Sequence, residues 1–302
     1  MKKILMFSNI LKISTRRFEE YHIEIASLYN EKIPNGLIRI LNKSIIAQSD
    51  LIYGIWTERM RDFDQIIIFD SDITPQTLMF FYKMGVANKV LLYYLNKIAD
   101  REKKLYATAN RTHIKQATYN IHDSQEYKIK YVPQFWNRNM AAETKPQPIK
   151  WDITFCGAAK DRLSEIVMVE NVAKNSGCKT NFWIVSDKST NKYTTKERRS
   201  YSDYLKDVGN SAAVLDIVGE DNWGLTWRPL EALFCKKKLI TNYTDIVKYD
   251  FYEPYKKNIF VVKNGNCIGL KEFIEKEYDP VDLDLKEYDA QNWLDSVIDL
   301  KC

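Results

Sequence analysis

The sequence predicts an α/β protein of two Rossmann-like domains that face each other across a cleft. Three observations carry this reading. The chain has 302 residues, enough for two ordinary domains each with its own core. Short apolar runs alternate with longer helical patterns from end to end, the sign of parallel sheets covered by helices. The alternation stops at the aperiodic polar stretch NRNMAAETKPQPIK (137–150), which carries two prolines, and then restarts.

In the first half the expected strands are ILMFS (4–8), QIIIFD (65–70), VLLYYL (90–95), ATYNI (117–121) and IKYVPQF (129–135). The segment from about Arg16 to Arg61 reads as mostly helical. TPQTLMFFYKMGVANK opens a helix with a Thr cap and Pro75 in its first turn. The second half reads as strand WDITFCG (151–157), helix KDRLSEIVMVENVAKNSG, strand KTNFWIVS (179–186) and a basic loop DKSTNKYTTKERRS. Helix YSDYLKDVGN, strand AAVLDIV (212–218), helix WRPLEALFC and strands KKLITN (237–242) and NIFVV (258–262) follow. The expected domains are 1–140 and 151–285, with the amphipathic C-terminal segment within 286–302 crossing back to the first.

Apolar residues make up 45% of the chain and charged residues 28%, the balance of a globular protein rather than a disordered one. No apolar run reaches the ~18 residues that span a bilayer. The basic start MKKILMFSNI reads as a first strand rather than a signal peptide, which sets the expected location as cytoplasmic. Five cysteines, an odd number without a C-x-x-C pair, fit reduced thiols and argue against structural zinc. The net charge of +5 is spread over the chain; it allows contact with anionic membranes or phosphorylated ligands and does not call for nucleic acid.

In open parallel sheets ligands sit beyond the carboxyl ends of the strands. The richest such place here is VLDIVGEDNWGLTWRPLEALFCKKKLITN, where a strand runs through an acidic turn into a helix mouth. A helix N-terminus is a ready site for a diphosphate, and Thr226 and Arg228 add a hydroxyl and a cationic fork. Glu231, one turn into that helix, is placed to accept from ribose hydroxyls. GAAKDR (157–162) offers a second phosphate element: Gly157 for close backbone approach, with Lys160 and Arg162 for charge.

The run Leu215 to Asn242, the segment DITFCGAAKDRLSEI (152–166) and KYVPQFW (130–136) resemble the GT-B glycosyltransferases encoded in bacterial capsule, exopolysaccharide and lipopolysaccharide clusters. The likeness is strongest over residues 115–262. It implies a hexosyltransferase whose second domain binds a nucleotide diphosphate sugar as co-substrate through Gly157, Lys160, Arg162, Glu220, Gly224, Thr226, Arg228 and Glu231. It also implies a saccharide or lipid-linked saccharide acceptor on the first domain, peripheral contact with the inner membrane face, no metal and no further cofactor. Many retaining members carry two glutamates separated by seven residues; here Trp223 stands eight positions before Glu231, which leaves Glu220 or Asp221 as the first acid. The alternative is a non-catalytic nucleotide-sugar-binding subunit of a transferase complex.

IIIFDSDI (66–73) poses a separate question, since Asp70 and Asp72 at strand spacing resemble the cation clamp of metal-dependent, GT-A type transferases. The second complete α/β half decides against that and makes D-S-D a strand end in the acceptor domain. Asp72, Asp70 and His122 then stand as candidate general bases, and Arg228 as the group that stabilises the leaving diphosphate.

Overall fold

The computed structural model describes residues 1–7, 21–42, 44–144, 148–187, 191–219, 224–298 and 300, with the side chains of 45, 48 and 143 excepted. The chain divides into two compact units, Met1–Gln134 together with Ala290–Cys302, and Phe135–Asp289.

The first unit is built on a parallel sheet of β1 (Lys2–Met6), β2 (Tyr21–Ile25), β3 (Gln65–Phe69), β4 (Val90–Tyr94), β5 (Lys115–Thr118) and β6 (Lys130–Tyr131), in the order β2-β1-β3-β4-β5-β6. QIIIF and VLLYY are buried at every position, as a parallel strand covered on both faces requires. Ile66 and Ile68 join one core with Leu92 and Tyr94. On the opposite face Phe69 stacks on Trp293 at 6.0 Å between centroids, and Tyr93 meets the same ring edge-on at 5.1 Å. Trp293 belongs to the helix Ala290–Ile298, so the C-terminal segment covers this sheet face. Gln65 Nε2 donates to the Val297 carbonyl at 3.0 Å and fixes it there.

Residues 21–61, as far as they are described, depart from the helical expectation, and 16–20 lie outside the described residues. YHIEI forms β2, an edge strand whose buried and exposed positions begin to alternate, and Asn35–Leu41 is the α-helix of the region, followed by 3-10 turns. Pro34, Gly36 and Gly54 interrupt any longer 3.6-residue period. β5 is shorter than read: Asn120 accepts from the N–H groups of His122 (2.9 Å) and Asp123 (3.2 Å) and thereby starts the helix Ile121–Tyr127.

The second unit begins at Phe135 rather than beyond the polar stretch. Trp136 and Met140 are apolar anchors inside that stretch, and both enter the second core; Trp136 Nε1 also donates to the Tyr201 hydroxyl at 2.8 Å. Its parallel sheet comprises β7 (Trp151–Ala158), β8 (Thr180–Val185), β9 (Thr194–Thr195), β10 (Ser211–Asp216), β11 (Lys238–Thr241) and β12 (Ile259–Val261), in the order β12-β11-β10-β7-β8-β9. The short β9 lies inside the basic loop. Val214 and Leu239 face one core while Ala213, Leu215 and Ile240 face another, so both faces of the sheet are covered.

The strand order places the sites. From β7 the chain steps outward to β8 and β9, then returns to β10 on the other side of β7. Strand order therefore reverses between β7 and β10, and in the first unit between β1 and β3. Such reversals leave a crevice at the carboxyl ends of the two strands, where open α/β sheets bind ligands. No helix among the described residues is long and apolar enough to cross a membrane.

Candidate functional site

Two arginines meet at the crevice between β7 and β10. Arg162 precedes the helix Leu163–Asn175, and its guanidinium straps the strand ends together, donating from Nη1 to the Ile217 carbonyl and from Nη2 to the Ala158 carbonyl at 3.3 Å. Arg228, in the first turn of the helix Trp227–Phe234, donates from Nη2 to the Cys156 carbonyl at 2.6 Å and lies 4.8 Å over the Phe155 ring. Its Nη1 is 3.6 Å from Oδ1 of the fully buried Asp216. That carboxylate also accepts from Thr226 Oγ1 at 2.8 Å and Thr241 Oγ1 at 3.4 Å, so it is held by three neighbours.

Gly157 makes this packing possible, because a Cβ there would collide with Arg228 Nη2. Gly157→Ala is therefore expected to push the guanidinium off the Cys156 carbonyl and to cost about 1–3 kcal/mol of stability. Denaturant unfolding of the variant checks this; an unchanged midpoint would mean that Arg228 is not packed against Gly157.

The two cations are close enough to act on each other: burial first, and then the Arg228 charge, lower the pKa of Arg162. Nε of each is buried without a hydrogen-bond partner among the described residues. Neighbouring guanidiniums concentrate positive charge at the crevice, and an anion there can offset it.

Beside them opens a cavity of about 500 Å³, lined by residues from three strand ends. Asp161, Arg162, Ser164 and Glu165 come from the β7 side, Val218 and Gly219 from β10, and Asn242 to Asp245 from β11. Asn242 ties the walls: its Oδ1 accepts from the Val218 N–H at 2.8 Å, and Nδ2 donates to the Val218 carbonyl at 3.0 Å and to Glu165 Oε2 at 2.9 Å. At Gly219 a Cβ would lie 2.9 Å from Asp161 Oδ2, so the absence of a side chain lets that carboxylate approach the backbone.

Of the residues read from the sequence, Gly157, Arg162 and Arg228 come together. Lys160 sits exposed in the turn after β7, at φ 47°, and does not line the cavity. Thr226 donates its hydroxyl to Asp216. Gly224 is buried at the edge of the described residues, and Glu220 and Asp221 lie outside them.

Glu231 requires a correction. It is 2% exposed, and its two oxygens accept from the Tyr201 hydroxyl at 2.6 Å and the Tyr204 hydroxyl at 2.7 Å. Burial raises its pKa, opposed by the nearby Arg228 charge and the two tyrosines. Here the carboxylate serves the interior of the unit and presents no free oxygen to a ribose. Reading from the sequence missed Tyr201 and Tyr204, although their i, i+3 spacing puts them on one helix face. It also missed Asp216, Asp161, Glu165, Asn242 and Asp245.

In the first unit Asp70 and Asp72 occupy the turn that follows β3, beside the end of β1. Asp70 is no clamp and no base: it is fully buried, and its oxygens accept from the Leu95 N–H at 2.6 Å and Asn96 Nδ2 at 2.8 Å. Arg101 closes the turn by donating to the carbonyls of Asp70 (2.9 Å) and Ile73 (3.0 Å). Asp72 is half-buried and accepts from Ser71 Oγ at 3.1 Å. His122 is exposed on a first helical turn rather than at a strand end. Among the described residues no group of three or more His, Cys, Asp or Glu is placed to hold a metal.

Burial pushes the Asp70 carboxyl up to about 6, against its two hydrogen bonds. A pKa raised on folding contributes stability that is complete below the unfolded value, near pH 4, and is lost as pH rises through 6. The stability of the wild type minus that of Asp70→Asn is therefore expected to fall by about 2–3 kcal/mol between pH 4 and pH 7. A difference that stays flat in denaturant titrations across this window would contradict the shift.

No family model matches the chain, and no curated protein does either. Among solved structures it is similar to an alpha-glucosyltransferase in complex with UDP and a 13-mer DNA containing a central A:G mismatch. The likeness has a TM-score of 0.52 at 13% identity and covers 79% of this chain and 78% of that one. It is a likeness of fold, and it agrees with the expected GT-B architecture of two Rossmann-like units. An NAD+-bound 3-phosphoglycerate dehydrogenase from Entamoeba histolytica aligns over 99% of this chain and 94% of its own at 11% identity, with a TM-score of 0.27.

Proposed function

We propose that the chain is a glycosyltransferase that moves a hexosyl group from a nucleotide diphosphate sugar to a saccharide or lipid-linked saccharide acceptor. The observation that carries this reading is the Arg162–Arg228 pair at the β7/β10 reversal, with unfilled buried donors and a cavity beside it. The UDP held by the structural neighbour supports a nucleotide diphosphate as the anion.

In this reading the second unit binds the donor and the first binds the acceptor. As the glycosidic bond breaks, negative charge grows on the leaving diphosphate, and two guanidiniums fixed by backbone carbonyls meet it without reorganising. Asp72, in the turn at the first unit's strand-order reversal, is the general base for the acceptor hydroxyl. Catalysis proceeds without a divalent cation, because the arginines supply the charge. Resemblance to the capsule and lipopolysaccharide transferases supports a role in bacterial surface polysaccharide synthesis, at the cytoplasmic face of the membrane.

Melting the protein with UDP, GDP or ADP tests the donor half of the proposal. A diphosphate at 100 times its Kd stabilises the folded state by about 2.7 kcal/mol and raises the melting temperature. Transfer from the sugar form of the nucleotide that binds is expected to survive EDTA. No shift with any of the three rejects the donor site, and binding without transfer to any acceptor favours a non-catalytic nucleotide-sugar-binding subunit. Transfer lost on chelation and restored by Mn²⁺ removes metal independence.

A further inference from the structure

The cavity beside the arginine pair has a chemistry of its own. Arg162 stands on its wall, and the rest of the polar lining holds the carboxylates of Asp161, Glu165 and Asp245, the hydroxyls of Ser164, Tyr243 and Thr244, and the Asn242 amide, which already donates to Glu165. Lys248 Nζ reaches Asp245 Oδ2 at 2.7 Å, so three carboxylates meet two cations. Its volume of about 500 Å³ falls within the range of small-molecule sites.

We propose that this cavity receives the glycosyl group of the donor and selects sugars that carry no carboxylate. The inference rests on the diphosphate reading of the arginine pair. Once a diphosphate occupies Arg162 and Arg228, the wall beyond them is left with an excess of acceptors. Sugar hydroxyls or an amine donate to those carboxylates and satisfy them. A uronic acid instead sets a like charge against Asp161, Glu165 and Asp245 in a partly desolvated space, an arrangement that excludes rather than merely fails to attract.

UDP-glucose and UDP-glucuronic acid share a nucleotide and a sugar ring and differ at one carbon of the sugar, and UDP alone lacks that sugar. Titration calorimetry on the full chain is expected to show UDP-glucose binding at least about tenfold more tightly than UDP-glucuronic acid. In Asp161→Asn combined with Asp245→Asn, at unchanged melting temperature, the ratio is expected to narrow to within about threefold. Equal binding of the two sugars by the wild type overturns the proposal, as does a preference that the double variant leaves intact. If UDP does not bind, GDP, GDP-mannose and GDP-mannuronic acid make the same comparison. Failure of UDP, GDP and ADP alike to bind rejects the diphosphate reading itself, a result distinct from binding without selection.

Discussion

Replacing Arg228 with alanine is expected to lower kcat for sugar transfer by about 10²–10³, with a smaller effect on the donor KM. The guanidinium is oriented by the Cys156 carbonyl, the Phe155 ring and Asp216, so it cannot follow a moving charge; in the proposed mechanism it meets the diphosphate where charge accumulates. A contact stronger in the transition state than in the ground state acts on kcat. Removing one fixed donor of this kind costs about 2.7–4 kcal/mol of barrier in other enzymes. Arg228→Lys keeps the charge but not the fork that reaches both Cys156 and Asp216, so it is expected to recover only part of the rate. Some stability is lost in both variants, yet Asp216 retains the hydroxyls of Thr226 and Thr241, so the unit is expected to fold. If turnover per folded molecule in Arg228→Ala equals that of the wild type, the residue only orders the turn.

The architecture was legible where burial leaves an unbroken apolar run. QIIIF and VLLYY are covered on both faces, and apolar runs this short, rich in β-branched and aromatic residues and bounded by turns, read as buried strands. The edges were not legible. β2 mixes polar residues with apolar ones because one side of an edge strand is wet, and the two threonines of β9 leave no pattern at all. The unit boundary was misplaced because Trp136 and Met140 are isolated apolar anchors in a polar stretch, and their role depends on Tyr201 and the second core.

The candidate site divides in the same way. Gly157, Arg162 and Arg228 carry a local signal, a glycine at a strand end and cations at helix mouths, and the structure brings them together. The cavity has no local signal: Asp161, Gly219 and Asn242 belong to three separate connections and become neighbours only because the order of β7, β10 and β11 sets their strand ends side by side. Asp70 misled for a related reason. Its position at a strand end suggested exposure, but the Leu95 and Asn96 donors that enclose it lie on the following strand connection.

Glu231→Ala is expected to destabilise the second unit by about 3–5 kcal/mol, the range for breaking a buried charged network from one side. Three groups lose a partner at once: the hydroxyls of Tyr201 and Tyr204 lose their acceptor, and Arg228 loses a nearby counter-charge. Burial has already raised the pKa of both tyrosines well above the usual value, so they remain neutral donors with nowhere to donate. For a unit of this size each kcal/mol is worth about 2–4 °C, and the melting temperature is expected to fall by roughly 10 °C. Glu231→Gln retains one carbonyl acceptor, and a tyrosine hydroxyl can turn to accept from its amide, so a clearly smaller loss is expected. Calorimetric melting of the two variants separates this role from the ribose contact that resemblance implies. A Glu231→Ala protein that melts with the wild type but binds nucleotide at least about tenfold more weakly would return the glutamate to the donor site. An early-melting alanine variant, with nucleotide affinity per folded molecule close to that of the wild type, makes Glu231 the post against which the helix Tyr201–Gly209 and the helix carrying Arg228 are braced.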